Sequence, residues 1–193
     1  MQTRTATRAS AEPRTSNRTR WVLVGALAVG AVLGFAGNFL PRGGDLQSVF
    51  YAVSAAGLIL GSVLLALRRA AAGDPLVAAG FGLLALGETR VMNPVAAPGS
   101  EESFAVGVLL YAPGLLLIAA SAWAPVWVRV VGALAALPFG GHALMYLSGA
   151  EVSSAGPVAS VGYGLLTLTV AGWIVTVLRS PKSLSEPAGL GAP

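Results

Sequence analysis

Three side chains stand out in a largely apolar sequence as able to do chemistry: Glu88, Arg90 and His142, the only histidine in the chain. Each lies within or near the end of a long apolar run. An ionisable group there is costly and faces a bundle interior or a watery cavity, which makes it a functional candidate by default. Asn38 and Tyr146 sit near the ends of other runs, and Tyr111, Tyr163, Thr167 and Thr169 add neutral polarity. Glu88 and Arg90 are two residues apart and do not face each other on one helix, so their partners come from other segments or from solvent. A carboxylate beside an imidazole holds it charged or fixes its tautomer. His142 is therefore the attractive partner for Glu88, and Asn38, Glu88, Arg90, His142 and Tyr146 form a candidate polar pocket that binds a ligand or relays a proton. A plainer reading stands beside it. In that one Arg90 reaches the headgroups, Glu88 caps a loop, and His142 bonds a backbone carbonyl near Pro138, whose ring leaves a carbonyl without its usual donor.

Much chemistry is excluded by residue type. The chain has no cysteine and one histidine, too few for the usual zinc or haem ligand sets, and no HExxH pattern occurs. The only lysine is Lys182, in the C-terminal tail, so no lysine Schiff base forms inside the apolar runs. A GxSxG nucleophile motif is missing, since Val158-Ala159-Ser160-Val161-Gly162 carries only its second half. Gly162-Tyr163-Gly164 and Gly80-Phe81-Gly82 lack the third glycine of a dinucleotide fingerprint and lie inside apolar runs. No catalytic residue, metal site or cofactor is expected.

The elements that must position these side chains are set by composition. Apolar residues make up 55% of the 193 and charged residues 10%, against about a quarter charged in soluble domains. Mean hydropathy is +0.74. Most apolar runs lack the polar face a water-soluble helix interleaves at 3.6-residue spacing, so the lipid bilayer is the expected surrounding. Six runs follow one another at 21–40, 48–67, 76–92, 104–123, 126–147 and 156–178. Their length of about twenty residues suits helices crossing hydrocarbon, where a barrel would show segments of about ten alternating residues. The expected fold is all-α: a polytopic transmembrane helical bundle over 21–179, flanked by a basic disordered tail at 1–20 and a second tail at 180–193. Pro113 and Pro138 are expected to kink their helices.

Direction follows from the basic residues. With the N-terminus on the cytoplasmic side, Arg4, Arg8, Arg14, Arg18, Arg20, Arg68, Arg69, Arg129, Arg179 and Lys182 fall inside, and only Arg42 and Arg90 fall outside. Asp45, Glu88, Glu101, Glu102 and Glu151 fall outside as well. A multi-pass protein of the cell membrane with both termini cytoplasmic is the expectation. The excess of basic residues serves this orientation and not nucleic acid. The basic tail with Trp21–Leu33 also has the form of a secretory signal, with Gly34-Phe35-Ala36 as a small-x-small cleavage site, and cleavage would leave five spans oriented as before. An Arg- and Ser-rich, acid-poor tail also fits an organellar transit peptide.

Glycine is the commonest device for packing. Gly30 and Gly34 in the first run, Gly57 and Gly61 in the second, and Gly132 and Gly140 in the fifth mark small-residue faces. Such faces bring helices close within one chain or between a chain and a second copy or another membrane partner. Val24-Gly25-Ala26-Leu27 and Val131-Gly132-Ala133-Leu134, with Ser48-Val49-Phe50-Tyr51 and Ser160-Val161-Gly162-Tyr163, suggest three repeated two-helix units. That repeat would place Asn38, Glu88 and His142 at related depths. Three function classes fit: a non-enzymatic binding or accessory component, a small proton-linked transporter or channel subunit using Glu88 and His142, and an intramembrane enzyme acting on a lipid or quinone.

Overall fold

The computed structural model describes residues 17–41, 43–92 and 101–179. Most of the expected N-terminal tail, Arg42, and the C-terminal tail with Lys182 lie outside the described residues. Six helices follow in order: α1 (Asn17–Gly37), α2 (Asp45–Ala71), α3 (Pro75–Val91), α4 (Glu101–Ala120), α5 (Val126–Leu147) and α6 (Pro157–Arg179). No strand occurs among the described residues. The protein is an all-α bundle, and five of its helices are long and apolar enough to cross a membrane. The exception, α3, has 17 residues and reaches about 25 Å at 1.5 Å per residue. The first helix begins at Asn17, inside the segment expected to be disordered. Helical hydrogen bonding there carries the arginines Arg18 and Arg20 on the end of an apolar rod.

Turn chemistry explains where the helices stop. Gly73 takes φ +79° after α2, its N–H bonding Ala70 O at 3.0 Å while that of Asp74 bonds Arg69 O at 2.9 Å. This is a Schellman ending, for which glycine carries no Cβ penalty. Asp74 then accepts from the Val77 N–H at 3.4 Å, and Pro75 fills the first helical position, where no donor is needed. Gly149 (φ +81°) closes α5 by the same device. Pro113 and Pro138 both lie within unbroken helices.

Each helix packs against its neighbours in sequence, and α6 returns to α1, so the bundle is a closed ring. No helix pair across the ring has close backbone contact. The ring has two unlike ends. One carries Arg18, Arg20, Arg68, Arg69, Arg129 and Arg179; the other carries Asp45, Glu88, Glu101, Glu102 and Glu151, with Arg90 the one cation there among the described residues.

Arginines tie helices together at the basic end. Arg20 donates to the Leu178 carbonyl and joins α1 to α6, while Arg129 Nε donates to the Ala119 carbonyl at 2.7 Å. Arg69 pairs with Asp74 at 3.1 Å and lies over the Trp123 ring at 5.6 Å. Each of the first two supplies a donor to a carbonyl near a helix C-terminus, where the backbone is left unpaired and the dipole favours a cation.

Glycine sets the spacing of the hairpins. A Cβ added at Gly57 would lie 2.7 Å from the Ala26 oxygen and 2.8 Å from the Gly30 nitrogen, and one at Gly30 2.9 Å from the Leu58 nitrogen. Gly34 lies against Ser54, whose hydroxyl donates to the Gly30 carbonyl at 2.6 Å, and Gly61 against Leu27. Gly132 and Gly140 pack less tightly, with nearest approaches of 3.3 Å to Thr169 and 3.4 Å to Ala112. The tightest α3–α4 contacts come from glycines outside the expected set: Gly80 against Gly114, and Gly87 against Gly107.

Candidate functional site

Glu88 sits on α3 one turn from its end, 7% exposed, on the face that looks into the ring. It borders a cavity spanning about 240 Å³ of interatomic space, with room for roughly one water molecule. Ser62 of α2, Tyr111 of α4 and Trp173 of α6 share that cavity, and Leu58, Leu84, Leu166 and Val170 complete its apolar wall. The Tyr111 hydroxyl is buried without a hydrogen-bond partner. Tyr163 lies within electrostatic range of both Glu88 and Tyr51. The Arg69–Asp74 ion pair lies at the far end, and no cation among the described residues pairs with Glu88. Arg90 is exposed at the end of α3.

The cavity is closed towards the basic end by aromatic packing. Phe81 meets Trp173 edge-on at 4.8 Å and Trp123 at 5.4 Å between ring centroids. A second, shallower space without room for a water molecule lies beyond, among α4, α5 and α6, bordered by Arg129, Gly132 and Thr169. Trp173 lines both spaces, so its indole is the wall between them.

His142 has a different setting. It is 1% exposed and packs edge-on against Phe104 at 4.8 Å, and its Nε2 has no hydrogen-bond partner. The carboxylate in electrostatic range is Glu101, which accepts from the Ser154 N–H at 2.7 Å and the Ser154 hydroxyl at 3.0 Å. Glu88 and His142 stand on α3 and α5, two helices without close backbone contact. Glu88 faces Tyr111 and Ser62, while His142 faces Phe104 and the Glu101 end of α4. Nor does His142 make the side-chain bond to a carbonyl near Pro138 that the plainer reading expects.

The remaining candidates lie elsewhere. Asn38 is exposed and pins the α1–α2 turn, accepting from the Tyr51 hydroxyl at 3.0 Å and donating to the Gly34 carbonyl at 3.2 Å. Tyr146 is half-buried near the end of α5. Asn38, Glu88 and His142 do share one end of the bundle, as the repeat suggests, but on helices that are not neighbours. The sequence reading passed over Ser62, Phe81 and Trp173, whose apolar surroundings look like ordinary core. The one available signal was the placement of Trp173 deep in a run instead of at an interface.

Among the described residues no group of three or more acidic or histidine side chains could hold a metal ion. The oxygens available to a ligand in the cavity are the Glu88 carboxylate, the Ser62 hydroxyl and the Tyr111 phenol. The chain matches no family model, no curated protein and no solved structure.

Proposed function

We propose that this chain is a multi-pass integral membrane protein of the cell membrane, with α3 crossing as a sixth short span and both termini cytoplasmic. In this reading it acts as a non-enzymatic binding or accessory component, not as a conduit. One observation carries it: the ring interior is packed shut. The Phe81–Trp173–Trp123 cluster stands between a cavity with room for about one water and the basic end. A proton-linked carrier would need a hydrated path past that cluster, and an intramembrane enzyme would need a cleft large enough for its substrate beside Glu88.

Purified protein in liposomes is expected to pass protons no faster than empty liposomes under an imposed pH gradient. Flux that Glu88→Gln abolishes would replace this reading with the transport one.

Orientation has its own test, because a cysteine-free chain makes any introduced thiol unique. Ser153→Cys, exposed in the α5–α6 connection, should react with a membrane-impermeant maleimide in intact cells. Ala122→Cys, exposed in the α4–α5 connection, should react only after permeabilisation. The reverse pattern would invert the topology.

A further inference from the structure

We infer that the cavity formed by Glu88, Ser62 and Tyr111 is a reversible binding site for a single proton, set in the ring interior and independent of His142. The inference goes beyond the proposed role, which needs no ligand inside the ring.

The geometry supports it in three ways. Glu88 is buried with no cation among the described residues to pair it. An ionised carboxylate in such a place carries a desolvation cost of several kcal/mol, so it must be neutralised by whatever the cavity admits. Size decides what that is: room for roughly one water excludes a headgroup or an organic ammonium. The neutral oxygens aimed into the same space are the second support. Tyr111, 1% exposed, has a hydroxyl without a partner, and Ser62 stands opposite on α2. A carboxyl group that gains and loses a proton changes from donor to acceptor, and a freely rotating hydroxyl serves either form. The third is the wall. Leu84, Leu166 and Trp173 give the space apolar sides, and a sodium ion would find only the carboxylate and two hydroxyls as side-chain oxygens.

The groups facing Glu88 from the packed helices are all uncharged at neutral pH: Tyr111 on α4, Tyr163 on α6, and Tyr51 of α2 close to Tyr163. Arg90, on its own helix, is exposed. Proton occupancy is therefore set by the cavity and not by a nearby ion.

The test is dicyclohexylcarbodiimide, an apolar reagent that attacks only the protonated acid. The carboxyl proton passes to a carbodiimide nitrogen and the carboxyl oxygen bonds the central carbon. The acyl group then migrates to nitrogen, giving a stable adduct from which nothing is lost. Full-length protein in liposomes would be labelled across a pH series and the adduct mapped by peptide mass spectrometry. Labelling of Glu88 is expected, falling reversibly as pH rises and unchanged when sodium replaces potassium. Tyr111→Phe, which removes one hydroxyl and keeps the ring, is expected to raise labelling about fivefold at low occupancy, equivalent to a hydroxyl bond about 1 kcal/mol stronger to the ionised form than to the neutral one. No labelling at any pH, labelling indifferent to pH, or a Tyr111→Phe profile identical to the parent's would each overturn the inference. Protection by sodium but not potassium would overturn it in favour of a sodium site. Such failures leave the flux result, and with it the proposed role, untouched.

Discussion

Trp173→Ala is expected to destabilise the bundle by about 3–5 kcal/mol, the usual cost of emptying a large buried aromatic site. The indole is 2% exposed and stacks edge-on with Phe81 at 4.8 Å. Lipid tails are as apolar as the core, so this loss is mainly one of packing contacts. The more particular effect concerns access. Trp173 borders both the Glu88 cavity and the space beside Arg129, and its removal is expected to join the two. A water-soluble carbodiimide, which should leave the parent unmodified, is expected to reach Glu88 in the alanine variant. Trp173→Phe, which keeps a ring in the wall, should largely restore protection. Thermal unfolding in detergent measures the first effect and peptide mapping the second. Equal protection in parent and alanine variant would show that the two spaces are separated by something other than Trp173.

Gly57→Ala is expected to cost about 1–3 kcal/mol, the range for overpacking a filled interior. The new methyl would lie 2.7 Å from the Ala26 oxygen and 2.8 Å from the Gly30 nitrogen. Both are backbone atoms that move only if α1 and α2 separate. Separation would also stretch the 2.6 Å bond from Ser54 to Gly30. The control is Gly164→Ala, where the added methyl meets nothing within 4 Å. There the gain in helix propensity of roughly 0.5–1 kcal/mol should leave the protein as stable as the parent or more so. A melting temperature lowered equally by both substitutions would mean that glycine content, and not close approach at Gly57, governs stability.

The sequence made the helices readable and their mutual arrangement largely unreadable, for physical reasons. Runs such as 126–147 coincide with α5 because a lipid-facing helix must be apolar from end to end. Gly73, Asp74 and Pro75 mark the α2–α3 junction because each has a distinct backbone role there. Gly30, Gly34, Gly57 and Gly61 were legible through their four-residue spacing. The Gly80–Gly114 and Gly87–Gly107 contacts lack that four-residue spacing, although both helices carry glycines seven apart in antiparallel register. The pairing of Glu88 depends on which helices adjoin in the ring, and no periodicity within a single helix contains that information. Neither does it reveal Glu101 reaching Ser154, a contact across 53 residues. Arg20 and Arg129 cap neighbouring helices, a role composition cannot reveal, since a basic residue that orients a helix and one that caps a neighbour look the same.

Ring closure has a consequence for how the protein is made. Synthesis delivers α6 last, yet α6 supplies Leu166, Val170 and Trp173 to the wall around Glu88 and the carbonyl that receives Arg20. In the membrane reading proposed above, α1–α5 alone leave an open arc with the Glu88 carboxyl turned towards lipid and Arg20 without the Leu178 carbonyl. The nascent chain therefore holds its least tolerable groups exposed until the final span arrives, and a product truncated before α6 presents them permanently to membrane proteases. The arrival of α6 and the concealment of Glu88 are one event.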